Sequence, residues 1–301
     1  MKSTTPGPVG IVGLGIMGSA MAANLITAGH RVIGYDVRAG RRRALRTAGG
    51  SAAKSCQDVG RRASIVICSL PSSDALVATA AELAEARHPS QIVIETSTLP
   101  IEVKQRARGQ LRTRGVVLLD CPISGTGAQA RAKDIVVYAS GTRAAYRRVS
   151  AVLDAMSRAH YYVGPFGAGS KMKFVANLLV AIHNVAAAEA LVLAMKAGLD
   201  PALALRLVSE GAGGSRILQL RGPMMVKGNY ANATMTLANW QKDMTIIAEF
   251  AQTAGSPTPL FSATAPIYAA AMAMGRQAQD TAAVCAVLEK MAHYRRRTEG
   301  A

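Results

Sequence analysis

Short apolar runs recur along the first half of the chain, at 9–12, 31–35, 64–70, 91–95, 115–119, 135–139 and 160–163. Each has the length of a buried strand, and helix-compatible segments separate most of them. That alternation predicts βαβ units and a mainly parallel sheet, doubly wound by helices. After the turn Gly164-Pro165-Phe166-Gly167-Ala168-Gly169 the pattern becomes helical, with breaks at 198–201, 211–214, 222–223, 228–232 and 255–259. The stretch 170–197 holds neither proline nor glycine and predicts a helix of many turns. The fold class expected is therefore α/β, an N-terminal domain over 1–166 followed by an all-helical domain over 167–301.

The first strand runs into Gly13-Leu14-Gly15-Ile16-Met17-Gly18, and a helix-compatible stretch follows at once. Strand, G-x-G-x-x-G turn and helix N-terminus together form the fingerprint of a Rossmann dinucleotide site. Gly13 permits the turn, Gly15 admits a pyrophosphate to the backbone, and Gly18 lets helix and strand pack closely. The second strand ends at Asp36, close to the spacing of an acid that binds the adenosine ribose hydroxyls and repels a 2′-phosphate. The expected cofactor is NAD. NADP remains possible, because Arg38 and the run Arg41, Arg42, Arg43 follow closely, although a solvated helix start explains that run more simply.

Composition narrows the remaining classes. Of the 301 residues 50% are hydrophobic, 18% charged and 4% aromatic, which suits an aliphatic core in two domains. No run reaches about 18 uncharged apolar residues, since His183 and Glu189 interrupt the nearest, 178–195, so a buried helix is expected there rather than a membrane span. Residues 1–8 lack the apolar segment of a secretory signal, and a cytoplasmic location follows. Cys56, Cys68, Cys121 and Cys285 are scattered without C-x-x-C spacing, as expected of free buried thiols; neither a disulfide framework nor a metal site is indicated. The net charge of +17 invites a nucleic-acid reading. Its arginines, however, are spread over helix surfaces and the tail, at 41–43, 61–62, 106–114, 147–148 and 295–297, without a stacking aromatic cluster, so no specific nucleic-acid partner is expected.

Further motifs stand in register behind the glycine loop. Ser69-Leu70-Pro71, Glu95-Thr96-Ser97-Thr98-Leu99-Pro100 and Asp120-Cys121-Pro122-Ile123-Ser124-Gly125-Thr126-Gly127 each follow a strand. Then come Gly167-x-Gly169-x-x-x-Lys173-x-x-x-Asn177 and Lys242-Asp243. In order and spacing the chain resembles the β-hydroxyacid dehydrogenase family, 3-hydroxyisobutyrate dehydrogenase-like enzymes with a 6-phosphogluconate dehydrogenase-like helical domain. The resemblance implies an NAD(P)-dependent oxidoreductase that moves a hydride between the nicotinamide and a small 3-hydroxy acid or semialdehyde. It assigns Lys173 as general acid/base, its pKa lowered toward the useful range by partial burial and neighbouring positive charge. Asn177 would orient the substrate hydroxyl or the lysine. Ser124, Gly125 and Thr126 would grip the substrate carboxylate, with Lys242 near substrate and cofactor and Asp243 its partner. Leu70, Pro71 and Thr98 would meet the nicotinamide half of the cofactor. Apolar surface on the helical half is expected to be covered in a homodimer or homotetramer.

The chain departs from the family at pocket positions. Ala176 stands where many relatives have a first asparagine, Lys133 and Ser140 replace glycines, Met235 replaces a usual phenylalanine, Thr126 replaces a frequent glycine, and Trp240 precedes the Lys-Asp pair. Substrate identity is thereby more open than reaction class. An imine reductase shares the fold, but usually carries a different residue in place of Lys173. Oxidative decarboxylation of a sugar-acid phosphate usually comes with a longer helical domain and a histidine near the lysine. A non-catalytic dinucleotide- or polyanion-binding protein is the reading from another class.

Overall fold

A computed structural model describes residues 7–86, 88 and 90–296. Most of the N-terminal segment, residues 1–6, and Arg297 of the last arginine cluster lie outside the described residues. The chain divides into two compact units, 1–173 and 174–301, so the division falls inside the long helix, a few residues beyond the glycine turn.

The first unit alternates strands and helices: β1 Val9–Val12, α1 Ile16–Thr27, β2 Val32–Tyr35, α2 Ala39–Thr47, β3 Ser51–Ala52, α3 Cys56–Arg62, β4 Ile65–Cys68, α4 Ser73–Glu85, β5 Ile92–Glu95, α5 Ile101–Arg112, β6 Val117–Asp120, β7 Ile123–Ser124, α6 Gly127–Arg131, β8 Val136–Ser140, α7 Arg143–Met156 and β9 Ala159–Gly164. Strands β3-β2-β1-β4-β5-β6 run parallel in that order. The order reverses between β1 and β4, which makes a crevice at their carboxyl ends. Successive side chains of one strand feed opposite faces. Ile11, Ile67, Ile92, Ile94 and Leu119 join one buried layer with Met21 and Leu25 of α1 and Val149 and Leu153 of α7. Val12, Val66, Cys68, Val93 and Leu118 join the other with α3, α4 and α5. Two covered faces explain why these strands read as continuous apolar runs.

Beyond β6 the sheet changes sense. β8 lies antiparallel to both β6 and β7, through Asp120↔Ser140, Ile123↔Val137 and Ser124↔Val136, and parallel to β9. These pairs share one register, so β6 and β7 are a single ladder interrupted at Cys121-Pro122, where proline has no N–H to give. The strands β3 and β7 were not among the expected elements, because two residues carry no periodicity.

The second unit contains most of α8 Ala168–Lys196, then α9 Pro201–Glu210, α10 Arg216–Lys227, α11 Leu237–Thr253, α12 Pro259–Ala273, a 3₁₀ turn Thr281–Ala283 and α13 Val284–Met291. Its core packs Phe174, Val185, Leu191, Trp240, Ile247, Phe261 and Tyr268. Asn184 of α8 donates to the Tyr268 hydroxyl and to the Thr281 carbonyl, tying three elements through one buried amide. By length and composition α8 could cross a membrane, yet half of its most apolar window is buried within the protein. One expected break is absent: α10 continues through Gly222-Pro223. A Cβ on Gly222 would come 2.3 Å from Leu205 Cδ1 of α9, so the glycine allows a close helix contact that outweighs the proline's missing hydrogen bond.

Candidate active site

The cofactor half of the site gathers at the carboxyl ends of β1, β2, β4 and β5. Gly13 has φ +89, and a Cβ there would stand 2.1 Å from the Ser69 carbonyl oxygen. A Cβ on Gly18 would stand 1.8 Å from the Gly13 carbonyl oxygen. The loops after β1 and β4 therefore touch backbone to backbone at the switch point. Gly15 is the open member: it caps α1 without any side-chain hydrogen bond, and a Cβ would meet only the end of Arg41, at 3.7 Å. Helix amides without a capping side chain, a bare backbone and an exposed Ile16 form a cradle that fits a pyrophosphate.

Asp36, just past β2, is buried and fully engaged. Its Oδ2 accepts from Leu14 N at 2.9 Å and pairs with Arg41 Nη1 at 3.2 Å, and its Oδ1 accepts from Arg38 N at 2.8 Å. Burial alone would raise its pKa, but the Arg38 and Leu14 amides and the Arg41 guanidinium outweigh it and hold the carboxyl below the ordinary value. Asp36 thus also pins the glycine loop, a role its spacing did not reveal. Arg42 donates to the Asp36 and Val37 carbonyls, so two of the three clustered arginines fasten the β2–α2 turn instead of being merely solvated. Leu70 is half-buried beside exposed Pro71, and its amide donates to Ser97 Oγ at 2.8 Å, joining the loops after β4 and β5; Thr98 is half-buried in the latter.

The expected carboxylate loop follows β6. Ser124 closes β7, Gly125 links it to α6, and Thr126 caps α6. The cap is reciprocal: Gln129 N donates to Thr126 Oγ1 at 3.4 Å, and Thr126 N donates to Gln129 Oε1 at 3.0 Å. Thr126 can therefore offer an anion its hydroxyl proton, its amide being occupied. A Cβ on Gly127 would come 2.2 Å from Ile16 Cγ2, and Asn24 donates to the Ala130 carbonyl at 2.8 Å, so α6 rests on the glycine-loop helix. Neighbouring Cys121 is fully buried, and burial followed by the Asp120 charge pushes its thiol far up, so it offers no thiolate.

Lys173 lies in the second turn of α8 and is 8% exposed. Asn177, one helical turn on, is buried and donates to Asp243 Oδ2 at 2.9 Å. Lys242 stands 3.5 Å from Asp243 Oδ1 with its side chain 41% exposed. Asp243 is itself buried, so this carboxylate fixes both an amide and an ammonium and is more than half of a surface ion pair. The Asn177–Asp243 bond spans 66 residues and left no local signal in the sequence. In the second unit the structure brings Asn177, Lys242 and Asp243 together; in the first it brings the glycine loop, Asp36, Leu70 and Thr98 to one edge of the sheet.

Comparison with known proteins agrees with this division. Residues 8–164 match the family described as the NAD binding domain of 6-phosphogluconate dehydrogenase, and residues 167–288 match the NAD-binding domain of NADP-dependent 3-hydroxyisobutyrate dehydrogenase. The chain is 30% identical to an L-threonate dehydrogenase of Cupriavidus necator, over 92% of its own length and 94% of the relative's. It is 29% identical to an NAD-dependent L-serine dehydrogenase of Pseudomonas aeruginosa, with 92% and 96% covered. A crystal structure of 3-hydroxyisobutyrate dehydrogenase from Salmonella typhimurium superposes with a TM-score of 0.84 at 29% identity, covering 93% of this chain and 99% of that one. The chain belongs to the β-hydroxyacid dehydrogenase family, NAD(P)-dependent oxidoreductases that act on CH–OH groups.

Proposed function

We propose that the protein interconverts a small 3-hydroxy acid and its semialdehyde, with Lys173 as the proton carrier. The observation that carries this reading is the burial of Lys173 one turn before an asparagine that Asp243 holds in place. A bound nicotinamide supplies the two-electron chemistry, taking up or giving a hydride at the carbinol carbon. The protein's own groups manage the proton and the carboxylate. As an amine, Lys173 accepts the hydroxyl proton during oxidation; as an ammonium, it returns that proton to the carbonyl oxygen. Asn177, restrained through its Nδ2, keeps its carbonyl oxygen free to hold the substrate hydroxyl or the lysine. Ser124, the Gly125 amide and the Thr126 hydroxyl are the donors for the carboxylate, and Lys242 adds a cation near it.

The cofactor would lie on the amides of Gly13–Gly18, its ribose against Asp36 and its nicotinamide half by Leu70, Pro71 and Thr98. The same reading assigns the protein to the cytoplasm, where its free buried thiols stay reduced. It also makes the protein a homodimer or homotetramer, because α9 buries none of its residues although it displays Leu203, Leu207 and Val208.

The test is a nicotinamide absorbance screen of 3-hydroxyisobutyrate, L-serine, L-threonate and small semialdehydes with both cofactors. At least one substrate should turn over, a cyclic imine should not, and Lys173→Ala should lose about 10³-fold or more in kcat while still binding NAD. Unchanged turnover in that variant would reject the lysine as proton carrier.

A further inference from the structure

A buried charged cluster sits behind the site, and the proton and carboxylate chemistry does not use it. Lys104 of α5, Glu95 at the end of β5 and Asp120 at the end of β6 are all fully buried. The Lys104 ammonium is 2.6 Å from Glu95 Oε2 and 2.8 Å from Asp120 Oδ1, and it donates to the Ser97 carbonyl at 2.7 Å. Its ammonium donates to the Ser97 carbonyl and to Asp120 Oδ1, and the Glu95 carboxylate joins it as an ion pair. Burial opposes the charge, yet the Asp120 and Glu95 carboxylates beside it more than compensate and hold its pKa above the ordinary lysine value, so Lys104 stays a cation.

Each carboxylate carries the clamp onward to a different piece of machinery. Glu95 Oε1 accepts from Ser97 N at 2.8 Å, and Ser97 Oγ accepts from Leu70 N at 2.8 Å. That branch fixes the loops that carry Thr98, Leu70 and Pro71. Asp120 holds the start of α8: its Oδ2 accepts from Ser170 N at 2.8 Å and from Ser140 Oγ at 3.1 Å, and its Oδ1 accepts from Ser170 Oγ at 2.8 Å. The carboxylate caps the helix from another element, where the helix dipole favours a negative charge. Gly169 presses the same turn onto the sheet, since a Cβ there would be 2.4 Å from the Tyr138 carbonyl oxygen and 2.7 Å from that of Asp120. Lys173 follows Gly169 by four residues, on the same helix face.

We infer that Lys104 is a positioning residue, whose ammonium clamps the ends of β5 and β6 and thereby sets both the cofactor loops and the first turns of α8 that present Lys173. The inference rests on the proposed role of Lys173 for its catalytic consequence. Ser140, one of the departures from the family's glycines, belongs to the clamp through its hydroxyl.

The decisive variant is Ser170→Ala, which removes one hydrogen bond to Asp120 and leaves every charge in place. Its kcat on the best substrate of the hydroxy-acid screen should fall about tenfold or more, with the NAD Kd by calorimetry unchanged. The pH limb of kcat that Lys173→Ala abolishes should also move. A merely structural role would lower the melting temperature and leave kcat per folded molecule and that limb where they are. Lys104→Met should raise amide hydrogen exchange in both 96–99 and 169–173 in the cofactor-free protein and weaken NAD binding as well; if it does not fold, Ser170→Ala with Ser140→Ala carries the test. Wild-type kcat and an unmoved limb in Ser170→Ala, with Lys173→Ala inactive, overturn the clamp and leave the proton-carrier role of Lys173 intact. An active Lys173→Ala overturns that role and this inference together.

Discussion

Single residues at this site combine an observed structural bond with a proposed chemical role, Asp36 above all. Its position after β2 is legible from spacing, because a ribose-binding acid must close the second strand of a βαβ unit. Its bonds to Leu14 N and Arg41 are not legible, since they depend on how the glycine loop and α2 converge. Removing the carboxylate should therefore do two things. Asp36→Ala releases the Arg41 guanidinium for a 2′-phosphate and frees the Leu14 amide of its anchor. The ratio of kcat/KM for NADP to that for NAD should rise about tenfold or more, equivalent to roughly 1.4 kcal/mol, while NAD affinity falls. An unchanged cofactor ratio would remove Asp36 from cofactor selection. Asn177 is a parallel case: its residue type and its turn from Lys173 are readable, whereas the Asp243 carboxylate that orients it arrives from a distant helix.

At the scale of elements, a polar residue outside every motif organises the helical unit. Asp280 accepts from Thr234 N at 2.7 Å, Thr234 Oγ1 at 2.8 Å, Met235 N at 3.2 Å and Ala282 N at 3.0 Å, and lies 3.3 Å from Arg221 Nε. It locks the segment leading into α11, the helix that carries Lys242 and Asp243. Burial works against its charge, but Arg221 and these donors prevail and keep its pKa below the usual carboxylate value. A depressed folded pKa stabilises the fold above the unfolded value of about 3.9, and the contribution is lost as pH falls through the lower, folded value. Asp280→Asn should cost about 3 kcal/mol at pH 7, and its deficit relative to wild type should shrink as the pH drops below about 4, measured by denaturant melts. A deficit constant down to pH 2 would refute the charge's role. The seven longer strands and the long helix were legible because continuous apolar runs and uninterrupted helix formers reflect burial directly. The strands β3 and β7 were not, since two residues have no pattern, and the course of α10 through Pro223 was decided by packing against α9. Lys104 did leave a trace: it shares a helix face with Ala107 and Leu111, and a lysine on an apolar face signals a buried partner.

For the whole molecule, charge and apolar exposure pull in different directions. A net charge of +17 disfavours self-association at low ionic strength and draws in anionic substrates and the dinucleotide itself. Yet the helical unit exposes Leu193, Leu199, Leu203, Leu207, Leu260 and Met291, and α9 has no buried residue in its own chain. Leu203 and Leu207 lie four residues apart on one exposed face of α9, and contiguous apolar surface marks an interaction site. A second copy of the chain would cover them with little repulsion, because the clustered arginines lie on helices of the other unit: Arg41–Arg43 on α2, Arg106, Arg108 and Arg112 on α5, Arg143, Arg147 and Arg148 on α7. Light scattering at micromolar concentration should accordingly return twice or four times the 31.4 kDa chain mass. Leu203→Glu with Leu207→Glu should shift that mass toward the monomer, because burying two uncompensated carboxylates in an apolar contact costs several kcal/mol. The oligomer should also tighten as salt rises from about 50 to 300 mM, since screening weakens the repulsion between subunits and leaves apolar contact untouched. A wild-type protein that stays monomeric across that salt range would assign the exposed leucines to something other than its own copies.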